Sequence, residues 1–394
     1  MVGPLEGYRI VDLTTMISGP LATMLLADQG ADVVKVETPG GGDHTRAAAN
    51  RRGGFSASFL NNNRNKRSIA LDLKQTEGVA ALLRLAATAD VFVQNFRPGV
   101  VERLGIDEAA IRAIAPNIIY VSISGFGERG PYANKPTYDP LVQAVSGLAS
   151  IQGGSDDSRP RLVRTIVPDK LTAMVASQAI TAALLARART GEGQHVRLSM
   201  LDAVVGFLWA SDMGSQTFVG DELPQAEAAS FIDLIYQTAD RTISAAVQTD
   251  REWEALTRAL DRPDWLSDPR FKTPALRHKH INERLDMTQE RLLTESADYW
   301  LERLTAEGVP CAPVLTRSEM IHHEQVLANQ LIVETDHPAA GRLRQTRPAA
   351  RFSATPAEIR QGAPGLGEHT DAVLAELGYS RDEIGGLRAR GIAA

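Results

Sequence analysis

The chain has 394 residues, more than one hydrophobic core usually serves, so we expect two domains. A net charge of −6 excludes a global basic field for nucleic acid, and the single cysteine excludes an internal disulfide or a thiolate metal cage, so the cytosol is the expected compartment. No run of about 18 consecutive apolar residues occurs and the first residues resemble no signal peptide, so we expect no membrane partner.

Strand and helix patterns alternate along the first third of the chain. The predicted strands are residues 9–13, 32–37, 67–71, 90–94 and 118–123, and the predicted helices are residues 21–29, 76–89 and 106–114. Strands separated by helices of this length predict right-handed crossovers and therefore a parallel sheet. Ligands of such sheets bind beyond the carboxyl ends of the strands, where three glycine- or proline-bearing loops lie here: TPGGGD, NFRPG and SGFGERGP.

The remaining chain begins with a long apolar helix over residues 170–189, followed by a strand that leads into another helix. Residues 210–230 lose periodicity and are interpreted as a linker. A β-hairpin is predicted from Phe231 to residue 248 with its turn at 238–240, followed by helices at 250–260 and 296–307. A helical tail is predicted from His369.

Residues 41–80 carry seven basic residues against the three acidic residues Asp43, Asp72 and Glu77. The basic residues are Arg46, Arg51, Arg52, Arg64, Lys66, Arg67 and Lys74. The local excess of positive charge favours a solvated face, and a bound anion of modest size is the alternative.

Asp169 follows Pro168 and directly precedes the long apolar helix, which predicts that it occupies the helix N-cap. One interpretation is structural, since a carboxylate at that position accepts a backbone N–H. The other is chemical, because a helix N-terminus also holds a carboxylate ionised and fixed, as a carboxylate nucleophile requires. The pattern alone leaves both interpretations open.

The chain resembles the family III CoA-transferases, the group that includes formyl-CoA transferase and carnitine CoA-transferase. The resemblance rests on ordered blocks that span nearly the whole chain: LEGYRIVDLTTMISGPLATMLLADQGADVVKVETPGGGD, NNNRNKRSIALDLK, VQNFRPGVVERLGI, ISGFGERGP, PDKLTAMVASQAITAALLARARTGEGQHVRLSMLDA and LGEHTDAVLAELGYS. It implies that Asp169 is the catalytic aspartate, forming an aspartyl–acyl anhydride and then an aspartyl-CoA thioester. Coenzyme A is then a substrate, succinyl-CoA a frequent donor and a small carboxylic or dicarboxylic acid the acceptor, and no metal is implied.

The same resemblance assigns the contacts with coenzyme A by position. They are Leu71, Asp72, Leu73, Lys74, Asn95, Phe96, Arg97 and Arg103. Lys74, Arg97 and Arg103 suit phosphate groups, and the alternative for each is an ordinary surface charge.

The acyl pocket departs from that of formyl-CoA transferase. Ile17 stands where that enzyme has a glutamine, and a side chain without a hydrogen-bond donor is ill suited to formate or oxalate. Thr38 stands where it has an arginine, and its mobile run of four glycines is missing, so residues 215–230 are a candidate cover for the site.

Racemases of the same superfamily are the first alternative activity. They use a histidine and an aspartate for proton transfer, and Tyr138 stands at the histidine position, where an unperturbed tyrosine is a poor base. Tyr138 and Asp139 are instead candidates for the acyl pocket. A non-catalytic CoA-binding protein is the second alternative. The glycine loops match neither the dinucleotide fingerprint nor a P-loop, which argues against a nicotinamide dehydrogenase or a nucleotide hydrolase.

The resemblance also implies the domain organisation. Residues 1–210 form a large Rossmann-like domain that binds coenzyme A, residues 230–325 a smaller α+β domain, and residues 326–394 return to the large domain. Members of the family form interlocked homodimers, which we therefore expect here.

Overall fold

The computed structural model describes residues 3–220 and 234–394. Its contacts divide the chain into two compact units, one of Met1–Leu223 with Gln330–Ala394 and the other of Pro224–Asn329. Residues 221–230 of the predicted linker and cover, and residues 231–233 of the predicted hairpin, lie outside the described residues.

The elements are numbered in chain order. The strands are β1 (Arg9–Asp12), β2 (Asp32–Glu37), β3 (Arg51–Arg52), β4 (Phe55–Ser56), β5 (Lys66–Ala70), β6 (Val91–Gln94), β7 (Ile119–Ser124), β8 (His195–Ser199), β9 (Ile235–Gln237), β10 (Thr242–Ala245), β11 (Cys311–Pro313), β12 (Ile332–His337) and β13 (Gly341–Thr346). The α-helices are α1 (Ser18–Asp28), α2 (Ala57–Asn63), α3 (Thr76–Ala86), α4 (Val100–Leu104), α5 (Glu108–Ile114), α6 (Asp139–Val145), α7 (Leu148–Gly153), α8 (Val167–Thr190), α9 (Met200–Trp209), α10 (Asp250–Ala259), α11 (Pro274–Lys279), α12 (Ile281–Leu292), α13 (Ala297–Ala306), α14 (Arg317–Met320), α15 (Glu324–Ala328), α16 (Thr370–Glu376) and α17 (Arg381–Ala389). Short 3₁₀ turns lie at His44–Ala47, Gly214–Gln216 and Pro263–Ser267.

The first unit contains a six-stranded sheet in the order β5-β2-β1-β6-β7-β8. Every neighbouring pair in it is parallel, which confirms the predicted α/β fold and its parallel sheet. In chain order, β2 and β5 extend the sheet on one side of β1, and β6, β7 and β8 then extend it on the other side. The order therefore reverses between β1 and β6, and a crevice for a ligand is expected beyond the carboxyl ends of these two strands.

Alternating side chains of the strands cover both faces of this sheet. Ile10 packs into a core with the helices α1 and α8, whereas its neighbour Val11 packs into a second core with α3, α5 and the C-terminal helices. Because successive residues of a strand point to opposite faces, short runs of apolar residues such as those of β1 and β2 serve both cores at once.

The C-terminal residues are part of the first unit. Val373 and Leu387, on α16 and α17, are buried in the core that Val11 joins. Backbone hydrogen bonds from Ala394 N–H to the Ala70 carbonyl oxygen (3.2 Å) and from Asp72 N–H to the Ile392 carbonyl oxygen (2.8 Å) attach the end of the chain beside β5. The loop after β5 is therefore held by the last residues of the protein.

The helix α8 is long and apolar enough, by length and composition alone, to cross a membrane. Core helices of globular proteins often have the same length and composition. A stripe that includes Ala173, Ala176 and Ile180 packs against the sheet in the core with α1. The opposite side leaves Met174 and Leu185 exposed. We interpret α8 as a core helix of the first unit that leaves these two apolar side chains exposed.

The second unit has its own small sheet and core. The strands β9, β10 and β11 form an antiparallel sheet in the order β11-β10-β9, and the turn between β9 and β10 is closed by Thr238 N–H bonding to the Arg241 carbonyl oxygen (2.8 Å). Its core contains Trp253, Trp265 and Trp300. These observations agree with the hairpin predicted for this region over its described residues.

Candidate active site

The turn that follows β1 lies at the point where the strand order reverses. Thr15 N–H donates to Asn95 Oδ1 (3.0 Å), and Asn95 Nδ2 donates to the Thr15 carbonyl oxygen (2.9 Å). Asn95 is the first residue after β6, so its amide joins the carboxyl ends of β1 and β6. The structure thus places a sequence-predicted site residue on the crevice that the strand order predicts.

The same turn is tight and strained. Met16 has a φ of 72°, a left-handed conformation that is uncommon for a residue with a side chain, and its N–H points at Asp43 Oδ1 (3.3 Å). Gly19 follows at the start of α1, where an added Cβ would lie 2.3 Å from the Thr14 Cβ. The turn therefore fixes where α1 begins.

The N-terminus of α1 is not capped by its own side chain. Ile17 occupies the N-cap position and makes no capping hydrogen bond, which leaves the first N–H groups of the helix available. The backbone N–H and the hydroxyl of Ser18 instead lie close enough to the carboxylate of Asp169 to lower its pKa. Ile17, a predicted pocket residue, is thus next in sequence to the residue that holds the predicted nucleophile.

Asp169 lies within the first turn of α8. The expectation that it is the N-cap is wrong: Ile166 is the N-cap, and Asp169 is the third residue of a helix that begins at Val167. The reason is Pro168, whose fixed φ and missing N–H suit the first turn of a helix. The Asp169 carboxylate therefore lies near the N-termini of two helices, α8 and α1, and both favour its negative charge.

Asp139 holds the backbone beside the candidate nucleophile. Its Oδ2 accepts the N–H of Asp169 (3.2 Å), and its Oδ1 accepts a bond from Gln143 Nε2 (2.6 Å). Asp139 is buried, whereas the preceding Tyr138 is 64% exposed. We infer that Asp139 positions the first turn of α8, a role that the sequence did not indicate.

Burial raises the pKa of the Asp169 carboxyl group above its usual value, and the nearby charge of Asp139 raises it further, while the hydrogen bonds from Ser18 act in the opposite direction. The carboxylate is thus fixed and partly stripped of water. These two properties increase its reactivity toward an electrophile.

The raised pKa predicts that Asp169 costs stability when ionised. The folded state binds the proton more tightly than the unfolded state, so the free energy of unfolding falls as pH rises from the ordinary pKa of aspartate through the raised value. We expect Asp169→Asn to be more stable than the parent at pH 7. The difference should shrink as pH falls toward the ordinary pKa of aspartate.

Urea unfolding as a function of pH measures this difference. Asp157→Asn, which changes an exposed carboxylate, is the matched control and should leave stability unchanged. Equal stability of the Asp169 variant and the parent at pH 7 would show that ionisation of this carboxylate carries no cost.

A buried ion pair lies beneath the turn. Lys66 Nζ bonds to Asp12 Oδ2 (2.9 Å), to the Pro20 carbonyl oxygen (2.8 Å) and to Asn63 Oδ1 (2.8 Å), and the side chains of Lys66 and Asp12 are fully buried. Burial opposes the charge of Asp12, but the ammonium groups of Lys66 and Lys35 hold its pKa below the usual range. Lys66 thus attaches the first turn of α1 to the sheet.

Lys35 supports the other side of the same turn. Its Nζ donates to the Thr14 carbonyl oxygen (2.7 Å) and pairs with Asp43 Oδ2 (3.0 Å), again with both side chains fully buried. The two lysines therefore hold the backbone before and after Ser18. The sequence signals of this arrangement are Asp12 in RIVDL and Lys35 in DVVKVE. Each is a charged residue directly flanked by apolar residues within a predicted strand.

Four of the seven basic residues of 41–80 form ion pairs with acidic side chains. For these four, the expected solvated face is wrong, and so is the alternative of a free anion site. Arg46 pairs with Glu37, Arg64 with Asp28, Lys66 with Asp12, and Arg67 with Asp32 and Glu376. Arg52 donates to the carbonyl oxygens of Ala340 and Arg342. The acidic partners lie outside the segment, so a local count of charge could not find them.

Three of the predicted CoA contacts are exposed cations. Lys74, Arg97 and Arg103 have no hydrogen bond or ion pair through their side chains within residues 3–220 and 234–394. Lys74 lies in the loop after β5, Arg97 follows β6, and Arg103 lies on α4. All three are therefore available to anionic groups near the carboxyl edge of the sheet.

Three of the other predicted CoA contacts pack in or against the hydrophobic core. Leu71 is fully buried, and Leu73 and Phe96 pack against the same core. Asp72 Oδ1 accepts the N–H of Lys74 (3.0 Å) and so shapes that loop. Phe96 and Arg97 also line a cavity of about 420 Å³ at the ends of β6 and β7, large enough for part of a bound ligand.

In the described part of the chain, no group of three or more histidine, cysteine, aspartate or glutamate side chains is arranged to hold a metal ion. The functional residues that the sequence missed are Ser18 and the two buried lysines. Ser18 carries no sequence signal of its own, because only the meeting of α1 and α8 brings it to Asp169.

The chain is similar to proteins of known activity over its full length. Residues 5–370 match the family model described as CoA-transferase family III. Succinyl-CoA:glutarate CoA-transferase of Homo sapiens is 35% identical over 399 residues, covering 99% of this chain and 90% of that protein. Formyl-CoA:oxalate CoA-transferase of Escherichia coli is 34% identical over 413 residues, covering 98% and 99%.

A solved structure shows the same fold. The crystal structure of a CAIB/BAIF family protein from Brucella suis aligns with a TM-score of 0.83 at 31% identity, covering 96% of this chain and 100% of that chain. The structural similarity therefore includes residues of both units.

Proposed function

This chain belongs to CoA-transferase family III, and on that premise we propose that it moves coenzyme A from succinyl-CoA to a small dicarboxylic acid through a covalent intermediate on Asp169. The observation that carries the proposal is the position of Asp169, which lies within the first turn of α8, with Ser18 at the start of α1 close enough to influence the pKa of its carboxyl group. A carboxylate held by two helix N-termini at the switch point of a parallel sheet is suited to attack an acyl group bound there.

The proposed reaction proceeds in four attacks. An oxygen of Asp169 attacks the thioester carbonyl carbon of the donor, the C–S bond breaks, and CoA thiolate leaves an aspartyl–acyl anhydride. The thiolate then attacks the carboxyl carbon of Asp169 and releases the donor acid, which carries away an oxygen of Asp169. The acceptor carboxylate repeats these two steps in reverse, and the side chain of Asp169 is regenerated with one oxygen from the acceptor.

The N–H and hydroxyl of Ser18 contribute to this chemistry through their position. They favour the ionised carboxylate before attack and are placed to donate to the oxyanion that develops when the thiolate adds to its carbon. Lys66 and Lys35 keep the turn that carries Ser18 in place. The role of these three residues is therefore to position charge, and none of them needs to transfer a proton.

Coenzyme A is proposed to bind along the carboxyl edge of the sheet. Its phosphate groups would meet Lys74, Arg97 and Arg103, the exposed cations without partners in the described chain. Binding energy from this remote end of the substrate can support the ordering of the reacting end at Asp169.

Two observations support the choice of a dicarboxylic acid. The human relative at 35% identity is named for succinyl-CoA and glutarate. Ile17, beside Ser18 at the start of α1, is aliphatic and has no hydrogen-bond donor on its side chain, which suits the carbon chain of a longer acid better than formate or oxalate.

We propose that the active protein is a homodimer. Met174 and Leu185 on α8, and Phe207 and Trp209 on α9, are large apolar side chains that are at least half exposed. Exposed apolar side chains on adjacent helices of one unit are typical of a surface that another protein covers. A second copy of this chain is the partner that the family resemblance implies.

Transfer of oxygen from the acceptor tests the covalent mechanism. The enzyme is incubated with succinyl-CoA and glutarate labelled with oxygen-18 in both carboxyl groups, and its peptides are analysed by mass spectrometry. We expect the peptide containing Asp169 to gain one labelled oxygen, because the anhydride leaves an acceptor oxygen on the side chain. Rapid CoA exchange without label at Asp169, or with label at another residue, would contradict the mechanism.

A further inference from the structure

The second unit contains an arginine whose charge is not matched by a neighbour. Arg284 lies on α12 and is partly buried, and its side chain makes no hydrogen bond or ion pair with any residue that the structure describes. Burial lowers the pKa of its guanidinium, Tyr236 opposes this effect, and the charge of Arg277 adds to it. A guanidinium in such a place requires an anion or water.

Arg277 lies close by, but its charge is matched. It is only 4% exposed, donates to the Phe271 carbonyl oxygen (3.0 Å) and pairs with Asp250. The two arginines therefore bring two positive charges to one place. Among the described residues, Asp250 pairs with Arg277 and no carboxylate pairs with Arg284.

Both arginines line one cavity of about 330 Å³. Its other polar lining residues are Gln248 and His278. The remaining wall is apolar and is formed by Leu234, Val247, Pro274 and Ile281. The volume is at the lower end of the range for small-molecule sites, and a charged group beside an apolar wall is their usual arrangement.

We propose that this cavity binds a small organic carboxylate, whose charged end lies on Arg284 and whose aliphatic chain lies on the apolar wall. The planar fork of a guanidinium suits the two oxygens of a carboxylate, and Arg277, fixed by its own partners, adds attraction without moving. An inorganic phosphate would match the charge but would leave the four apolar side chains without contact. All residues that line the site belong to the second unit, whereas Asp169 belongs to the first.

The test is a binding measurement on the full chain with n-butyrate, and with n-butanol and inorganic phosphate as probes of the two halves of the ligand. Isothermal titration calorimetry should show saturable binding of butyrate to the parent. We expect Arg284→Gln to weaken this binding at least about tenfold, the loss of one charge-assisted contact. Arg317→Gln, which removes an exposed arginine of the same unit, is the matched control and should bind as the parent does.

A second measurement separates binding from folding. Without ligand, Arg284→Gln should melt at the same temperature as the parent or higher, because it removes an unpaired charge beside Arg277. Butyrate should raise the melting temperature of the parent and of Arg317→Gln by more than that of Arg284→Gln.

Three results would overturn the proposal. They are equal affinity of the parent and Arg284→Gln for butyrate, binding of phosphate as tight as that of butyrate, and binding of butanol as tight as that of butyrate. Because the contrast depends on Arg284 and not on Asp169, binding of butyrate at the proposed catalytic site would appear equally in both proteins. Failure of the oxygen-label experiment would leave this inference unaffected.

Discussion

Replacing Asp169 by alanine is expected to reduce CoA transfer by about 10⁴-fold or more, the loss typical when a covalent nucleophile is removed. The affinity for coenzyme A should stay within about threefold of the parent, because the side chain holds the acyl group and not the nucleotide. Transfer is measured by following exchange of CoA between succinyl-CoA and glutarate, and affinity by titration with coenzyme A.

Asp157→Ala is the control for this variant, since it removes an exposed carboxylate on a loop of the same unit. Near-normal turnover of Asp169→Ala would place the nucleophile elsewhere. Tight binding of coenzyme A by the parent, with no exchange for any small acid, would instead favour a non-catalytic CoA-binding protein.

Replacing Lys66 by methionine is expected to destabilise the first unit by about 3–5 kcal/mol. The variant leaves the carboxylate of Asp12 buried without its ammonium partner. It also removes one of the donors to the Pro20 carbonyl oxygen and the Lys66 donor to Asn63 Oδ1. Urea unfolding measures the loss. Lys74→Met removes an exposed lysine and should change stability by less than about 0.5 kcal/mol.

A double-mutant cycle shows whether the pair itself is responsible. Asp12→Asn combined with Lys66→Met should be less destabilised than the sum of the two single changes, because no unpaired charge remains. Strict additivity, or a cost below about 1 kcal/mol for Lys66→Met alone, would show that the buried pair does not hold the turn.

Both predictions concern one arrangement, in which a turn between β1 and α1 presents Ser18 to Asp169. The turn is held from below by Lys66 and Lys35 and from the side by Asn95. Because every holding group is bonded to backbone, a small change in any of them is passed on to the position of Ser18. Positioning by backbone contacts of this kind keeps a nucleophile fixed while its own charge remains accessible to the substrate.

The sequence predicted the parallel sheet well. The apolar runs of β1 and β2 are short and continuous because both faces of a parallel sheet are covered, and such runs separated by helices have few other arrangements. Asn95 and Ile17 were assigned to the site by the family resemblance, and in the structure they follow strands β6 and β1. The carboxyl ends of these neighbouring strands meet at one edge.

The partners of charged residues could not be predicted in the same way. Arg64 and Asp28, or Arg67 and Glu376, are far apart in sequence, and a count of charge within a window assigns them to the surface. Leu71 is an opposite case, because the resemblance assigned it to ligand binding and its side chain is fully buried in the core. Its backbone N–H is bonded to the Glu37 carbonyl oxygen (2.8 Å).

By itself, the sequence determined the alternation of strands and helices, the loops at the strand ends and the presence of an aspartate at the start of the long apolar helix. These features depend on local propensities and on periodicity, which neighbouring residues set. Only the tertiary structure decided that a second helix would start beside this aspartate, that Asp139 would hold its backbone, and that lysines 35 and 66 would be buried. Each of these depends on contacts between segments that only the packing of the sheet and its helices brings together, and no local pattern records which side chain will meet which.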